Sequence, residues 1–170
     1  MSVRRAASGD EAVVRSVRLE ALADAPDDFD STREVEVAWT TSNWQRWLSR
    51  GATFLLERDD DVAKGLAAGV PHRDDRSIVF LGSMWVHPEL RGTGGADALV
   101  AAVVAWAEEE GAAEVWLHVD KRNDRARRFY ERNGFRATDE VARARDGLVE
   151  IEMRLTRGGT AGARGRAPRS

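Results

Sequence analysis

The stretch Leu81-Gly82-Ser83-Met84-Trp85-Val86-His87-Pro88-Glu89-Leu90-Arg91-Gly92-Thr93-Gly94-Gly95-Ala96 constrains this chain more than any other. The bulky and β-branched residues of Ile78–Val86 predict a strand, and Pro88 closes it. Arg91–Gly95 is a glycine-rich loop. It opens directly into a predicted helix over Ala96–Glu110, apolar on most of its surface and ended by Gly111. A helix N-terminus presents backbone N–H groups that lack intrahelical partners, and the helix dipole adds partial positive charge there. A phosphate or pyrophosphate fits such a place. Glycine lets the backbone close on the ligand and takes positive φ at little cost. Arg91 adds a cation beside the same anion.

Other glycine loops fit less well. A P-loop ends in Gly-Lys-Ser/Thr, and the lysines here are Lys64 and Lys121, neither of them in the loop. A dinucleotide fingerprint would begin at Gly92-Thr93-Gly94, but Asp97 stands at its third glycine, wrong in sign for a pyrophosphate. On the glycines alone, an anion cradle and a plain flexible loop both remain open.

The 170 residues suit one domain with one core. Val3–Ala7 reads as a first strand, and Ser8 or Asp10 caps a helix over Ala12–Ala23 that Pro26 and Asp27-Asp28 end. A second helical stretch, Val35–Ser49, breaks near Thr40–Ser42. Thr53–Glu57 and Val62–Val70 form a hairpin around Asp59–Asp61, and Pro71–Ser77 is a polar turn. Glu114–Val119 is a central strand, and Asn123–Asn133 is a helix capped by Gly134. Phe135–Ala142 and Leu148–Leu155 are the last strands, around an Asp146-Gly147 turn. The order β-α-α-β-β-β-α-β-α-β-β gives a mixed α/β domain over residues 1–155. Residues 156–170, rich in Gly, Ala and Arg, read as a disordered tail.

Composition narrows the function. A net charge of only −3 argues against a general nucleic-acid binder. The absence of cysteine rules out a disulfide framework, a zinc-thiolate site and a cysteine nucleophile. The longest apolar run, Ala98–Ala107, is far below the ~18 residues of a membrane span, and no apolar segment follows Arg4-Arg5 to make a signal peptide. The expectation is a cytoplasmic protein with no membrane partner. His72, His87 and His118 are scattered without metal-ligand spacing, so no metal is expected. Ser83 does not sit in a G-x-S-x-G elbow.

Val86, Pro88, Arg91, Gly94 and Ala96, at their spacing, resemble motif A of the GNAT superfamily of N-acetyltransferases. Leu117-His118-Val119, Asn123, Ala126, Phe129-Tyr130 and Gly134-Phe135 resemble motif B, in the right order and at a plausible distance. The resemblance covers about Ile78–Phe135. It implies a GNAT-like mixed sheet whose fourth and fifth strands splay apart, with acetyl-CoA as acyl donor. It places backbone groups of Met84, Trp85 and Val86 on the pantetheine amides, one of their N–H groups polarising the thioester carbonyl. It places Arg91, Gly92, Thr93, Gly94, Gly95 and Ala96 on the pyrophosphate, and Asn123 on the pantetheine arm. The acceptor is then a primary amine, on a small molecule or a peptide N-terminus, and the protein a monomer or homodimer. A non-catalytic acyl-CoA sensor and a transferase of another short acyl group are the alternatives.

Acyl transfer to an amine needs a neutral nucleophile, although a lysine-like amine with a pKa of ~10.4 is mostly protonated at pH 7. It also needs an oxyanion donor and a proton for the departing thiolate. Tyr130, the chain's only tyrosine, stands where the superfamily often carries the proton donor; the other reading is a packing aromatic like Phe129. His118 is the first candidate for the base. Leu117-His118-Val119 is similar to a Leu-Glu-Val triplet of the ribosomal-protein alanine acetyltransferases, whose glutamate is the base. Alternation must aim His118 at the gap, with Leu117 and Val119 on the other face. His87 is the second candidate, although it reads as an exposed loop histidine. Glu57 and Glu152 read as solvent-facing, and deprotonation through a water chain stays open. Asp24, Asp27, Asp28, Asp30, Glu34 and Glu36 read as a solvated acidic loop, or else as a rim that draws in a cationic amine. Of Trp39, Trp44 and Trp47, the last two read as core.

Overall fold

The second helical stretch divides at Ala38–Thr40, slightly earlier than its sequence suggests, because Thr40 caps the helix that follows. In this computed structural model, Thr40 Oγ1 accepts the Asn43 N–H and Asn43 Oδ1 accepts the Thr40 N–H at 2.9 Å. Two orphan amides are satisfied reciprocally, which fixes where the helix begins. The chain is described over residues 1–143 and 147–156; the tail beyond Thr156 and Asp146 of the last turn lie outside the described residues.

The helices are α1 (Glu11–Asp24), α2 (Arg33–Val37), α3 (Thr41–Leu48), α4 (Gly95–Glu109) and α5 (Asp124–Arg132). The strands are β1 (Ser2–Arg5), β2 (Ala52–Glu57), β3 (Ala63–Pro71), β4 (Ile78–Val86), β5 (Glu114–Asp120), β6 (Arg136–Arg143) and β7 (Val149–Thr156). They form one mixed sheet in the order β1-β2-β3-β4-β5-β7-β6. The element order follows the sequence expectation. The spatial order adds that β7 inserts between β5 and β6.

Helix α4 packs on one face of the sheet, where Leu99, Val103 and Trp106 meet Leu56, Ala67 and Val79. Gly95, its first residue, lies against β2: an added Cβ would stand 2.5 Å from Leu56 Cδ2. The opposite face is covered over β2–β4 by α1 and α3, through Val14, Val17 and Trp44 on Leu55, Leu66 and Trp85. The helices stop short of β5 and β7, so that half of the face stays open.

Two irregularities part the centre of the sheet. Strands β4 and β5 run parallel and pair only at Ile78↔Glu114, Val79↔Val115 and Phe80↔Trp116. Just beyond, the β3–β4 register steps from Ala68↔Gly82 to Leu66↔Trp85, leaving Ser83 and Met84 opposite the single residue Ala67. Ser83 takes φ 54°, in the left-handed region. A bulge bends its strand and increases local twist. It therefore turns β4 away where its pairing with β5 ends. The expected splay is present.

Three acidic residues depart from the solvent-facing expectation. Glu36 is only 1% exposed and takes Arg18 in a two-pronged pair, at 2.9 Å to Nε and 2.8 Å to Nη2. Glu57 is buried against Arg4 at 2.7 Å. Glu152 is buried and accepts from Arg154 Nε at 2.7 Å. In each case an arginine replaces water, distant in sequence for Glu36 and Glu57 and two residues along the same strand for Glu152. Removing one partner of a buried pair strands the other charge, so Glu36→Ala should destabilise the fold by about 3–5 kcal/mol. Exposed Glu34→Ala should stay within about 0.5 kcal/mol of the parent. Urea unfolding of both variants checks this.

Candidate active site

A cavity of about 860 Å³ opens where β4 and β5 part. Its walls come from the α1–α3 region, β4, the loop before α4, β5, α5 and β7.

The loop forms one end. Gly92 and Gly94 take φ 81° and 87°, and no atom lies within 4 Å of a Cβ built on either. The first bond of α4 runs from Ala98 N–H to Gly94 O at 3.0 Å. The amides of Gly92, Gly94, Gly95 and Ala96 find no acceptor among the described residues. Gly94 has no side chain with which to cap them. The result is a concave set of free donors at the positive end of a 15-residue helix. Thr93 closes the loop by donating Oγ1 to Leu90 O at 2.7 Å. Asp97, whose charge weighed against a dinucleotide fingerprint in sequence, also lines the cavity but is paired with Arg132 and Asn133, both at 3.0 Å. Two sequence assignments change here. Gly95 is small because α4 must approach Leu56, although its amide stays free. The Arg91 side chain is already engaged: its guanidinium pairs with Asp24, and Nε donates to Val86 O at 3.1 Å.

Strand β4 forms one wall. The His87 N–H donates to Lys64 O across to β3 at 2.8 Å. By alternation along the strand, the main-chain groups of Trp85 also face β3, while those of Met84 and Val86 face the gap. Trp85 is thus removed from the gap edge. Its buried indole instead donates to Asp24 Oδ2 at 2.9 Å, and Asp24 ties α1 to both β4 and Arg91. His87 accepts the Glu89 N–H at 3.3 Å and caps the turn Pro88–Leu90, a structural role outside the cavity.

Helix α5 forms the wall opposite. Asn123 Oδ1 caps it by accepting the Ala126 N–H at 3.0 Å; Nδ2 has no partner among the described residues, and the residue lines the cavity. Tyr130 lies about two turns on, 8% exposed, between the rings of Phe129 and Phe135. The residue lines the cavity, and its hydroxyl makes no hydrogen bond among the described residues. Burial, and then the charge of Asp28, push the phenol above its usual range. It keeps its proton at neutral pH.

His118 stands on β5 with Leu117 and Val119 buried on the other face, as alternation requires. Its ring meets Phe80 edge-on at 4.7 Å between centroids. Register places Glu152 beside it and Glu150 beside Asp120. Nδ1 lies 3.7 Å from Glu150 Oε2 and Nε2 lies 3.9 Å from Glu152 Oε2. Burial lowers the His118 pKa below its ordinary 6.5, against the pull of Glu152. Glu150 is pushed up by burial, then by Asp30 and Asp120. Asp28, exposed yet partly desolvated by the cavity and crowded by Asp120 and Asp27, is also pushed up.

Sequence reasoning passed over Glu150 and Asp120. The signal was present in the period-two spacing of His118 and Asp120 and of Glu150 and Glu152, which puts each pair on one face of its strand. Of the tryptophans, Trp44 is core at 1% exposed, while Trp39 and Trp47 pack against that core and also line the cavity. Among the described residues, no group of three or more His, Cys, Asp or Glu is placed to hold a metal ion. No described helix is long and apolar enough to cross a membrane.

The sequence model of the acetyltransferase (GNAT) family matches residues 18–135. An uncharacterized N-acetyltransferase of Mycobacterium tuberculosis is 44% identical over 83 residues, 49% of this chain and 52% of that protein. The chain thus spans about half the length of the mycobacterial relatives it matches. A GNAT-family acetyltransferase of Desulfovibrio desulfuricans superposes with TM-score 0.68 at 26% identity, over 91% of this chain and 98% of that one. An acetyltransferase of Salmonella typhimurium, solved with its cofactor acetyl-CoA, superposes with TM-score 0.73 at 20% identity, over 100% and 98%. The parted strands, the glycine cradle at the head of α4 and the matched span from α1 to Phe135 agree: the chain belongs to the acetyltransferase (GNAT) family.

Proposed function

We propose that this protein transfers an acetyl group from acetyl-CoA to a primary amine, by direct attack with both substrates bound. One observation carries the reading. The gap between β4 and β5 has free amides at one end and, further along, Tyr130 and His118 on its two sides. The residues fit the donor: the open surroundings of Gly92 and Gly94 admit a diphosphate, and the unpaired edge of β4 matches the amides of a pantetheine arm. The acetyl-CoA complex of the Salmonella neighbour supports the same donor.

Acetyl-CoA supplies an activated acyl thioester. The amides of Gly92, Gly94, Gly95 and Ala96 hold its diphosphate, and Asn123 Nδ2 and the gap-facing groups of Met84 and Val86 orient its arm. Of these, only N–H groups can stabilise negative charge on the acyl oxygen, and Val86 O is already engaged by Arg91. His118, neutral at pH 7 because burial disfavours its cation, accepts the proton of the amine. Tyr130 holds a proton at Oη for the sulfur as it leaves. Asp28, Asp30 and Glu150 give the acceptor side a negative potential that attracts a cationic amine.

Incubation with acetyl-CoA and an amine panel, following free thiol, tests the reading. Amine-dependent thiol release supports it; tight binding of acetyl-CoA without release from any amine makes the chain an acyl-CoA-binding module instead. The base has its own signature. A lowered histidine pKa keeps the active neutral form populated as pH falls, so the acid limb of kcat should lie below pH 6.5. That limb should vanish in His118→Ala, with a lower plateau. An unchanged profile removes His118 as the base.

A further inference from the structure

We propose that the acceptor is an amphipathic amine, whose apolar arm sits in a hollow on the sheet face beside His118. This rests on the acetyl-transfer reading and names its substrate class. Thr53, Ala68 and Gly82 are register partners on three adjacent strands. Partners in register share a face, so two small side chains and a glycine lie side by side and the floor of the sheet is sunk there. Phe80 and Trp47 wall the depression, and a Cβ built on Gly82 meets nothing within 4 Å. The hollow measures about 280 Å³. A dry apolar cavity of about 150 Å³ suffices for benzene. There is room here for a branched aliphatic or single aromatic group.

The hollow is continuous with the main cavity, since Trp47, Arg50, Phe80, Gly82 and Ser83 line both. Phe80 carries the connection: it borders the hollow and also touches His118 edge-on at 4.7 Å. An amine placed at His118 therefore has the hollow within reach of its own side arm. The two ends differ in chemistry. Glu150, Asp28 and Asp30 line the amine end, while the hollow offers mainly carbon surface, with the exposed Arg50 where the two meet. A cationic head with an apolar arm satisfies both; a small hydrophilic amine leaves the hollow wet.

The test compares phenethylamine, an amidated peptide with N-terminal Phe, and ethanolamine, by acetyl-CoA-dependent thiol release and by calorimetric binding of each to the protein alone. Expected is a kcat/KM at least about 10-fold higher for one of the two aromatic amines than for ethanolamine. Which one is preferred separates a small-molecule from a peptide acceptor. Gly82→Leu, which fills the hollow, should lower that amine's kcat/KM and affinity about 10-fold or more, with the ethanolamine rate and acetyl-CoA affinity within about 2-fold of the parent. Ala68→Val blocks the same space from the next strand and serves if Gly82→Leu does not fold, which thermal melting reports. Equal kcat/KM for aromatic and hydrophilic amines, or an equal loss for both on filling, overturns the subsite and leaves acetyl transfer standing. No thiol release from any amine, with no amine binding, overturns both.

Discussion

Tyr130→Phe should lower kcat by about 10²-fold or more while acetyl-CoA binds as tightly as before. The substitution removes one oxygen. The ring keeps its contacts with Phe129 and Phe135. Because the hydroxyl makes no hydrogen bond to the described protein, no polar partner is stranded, and the melting temperature should hardly move. A drop in rate without loss of stability or cofactor affinity is what a proton donor predicts and what a packing aromatic does not. Steady-state kinetics, calorimetry with acetyl-CoA and a melting curve together decide it. An unchanged kcat removes Tyr130 from the mechanism.

Gly94→Glu should abolish cofactor binding. Two effects add. Gly94 has φ 87°, a region that costs other residues about 1–2 kcal/mol. A carboxylate in the cradle also repels a diphosphate; at about 4 Å and an effective dielectric of about 20 that is roughly 4 kcal/mol, or about 10³-fold in affinity. Gly94→Ala separates the two, since it brings the backbone strain without the charge and should weaken binding far less. Calorimetric titration with acetyl-CoA on both variants is the measurement. Retained tight binding by Gly94→Glu would falsify the placement of the diphosphate at this helix end.

The parts of the site that were legible in sequence are those built by neighbours. The strand, loop and helix from Ile78 to Glu109 were readable because glycine, proline and apolar spacing act within a few residues. The same holds for the aim of His118 on an alternating strand, opposite to Leu117 and Val119. Apart from Glu152, whose partner Arg154 is two residues away, misreadings fell on groups whose partners are distant. Glu36 looked like one more solvated acid because Arg18 lies 18 residues away. Arg91 looked free to bind an anion because Asp24 lies 67 residues away. Trp85 was assigned to the gap because its strand was known but its pairing parity with β3 was not.

The sequence by itself determined the kinds of element, their order along the chain and the glycine-rich entry into α4, since propensity, capping and periodicity are local quantities. Only the tertiary structure decided which strand edges meet. The insertion of β7 between β5 and β6 sets Glu150 and Glu152 beside His118, and the bulge at Ser83 and Met84 opens the gap that the site occupies. Strand pairing and register depend on contacts between residues far apart in the chain, and a shift of one residue would turn His118 into the core.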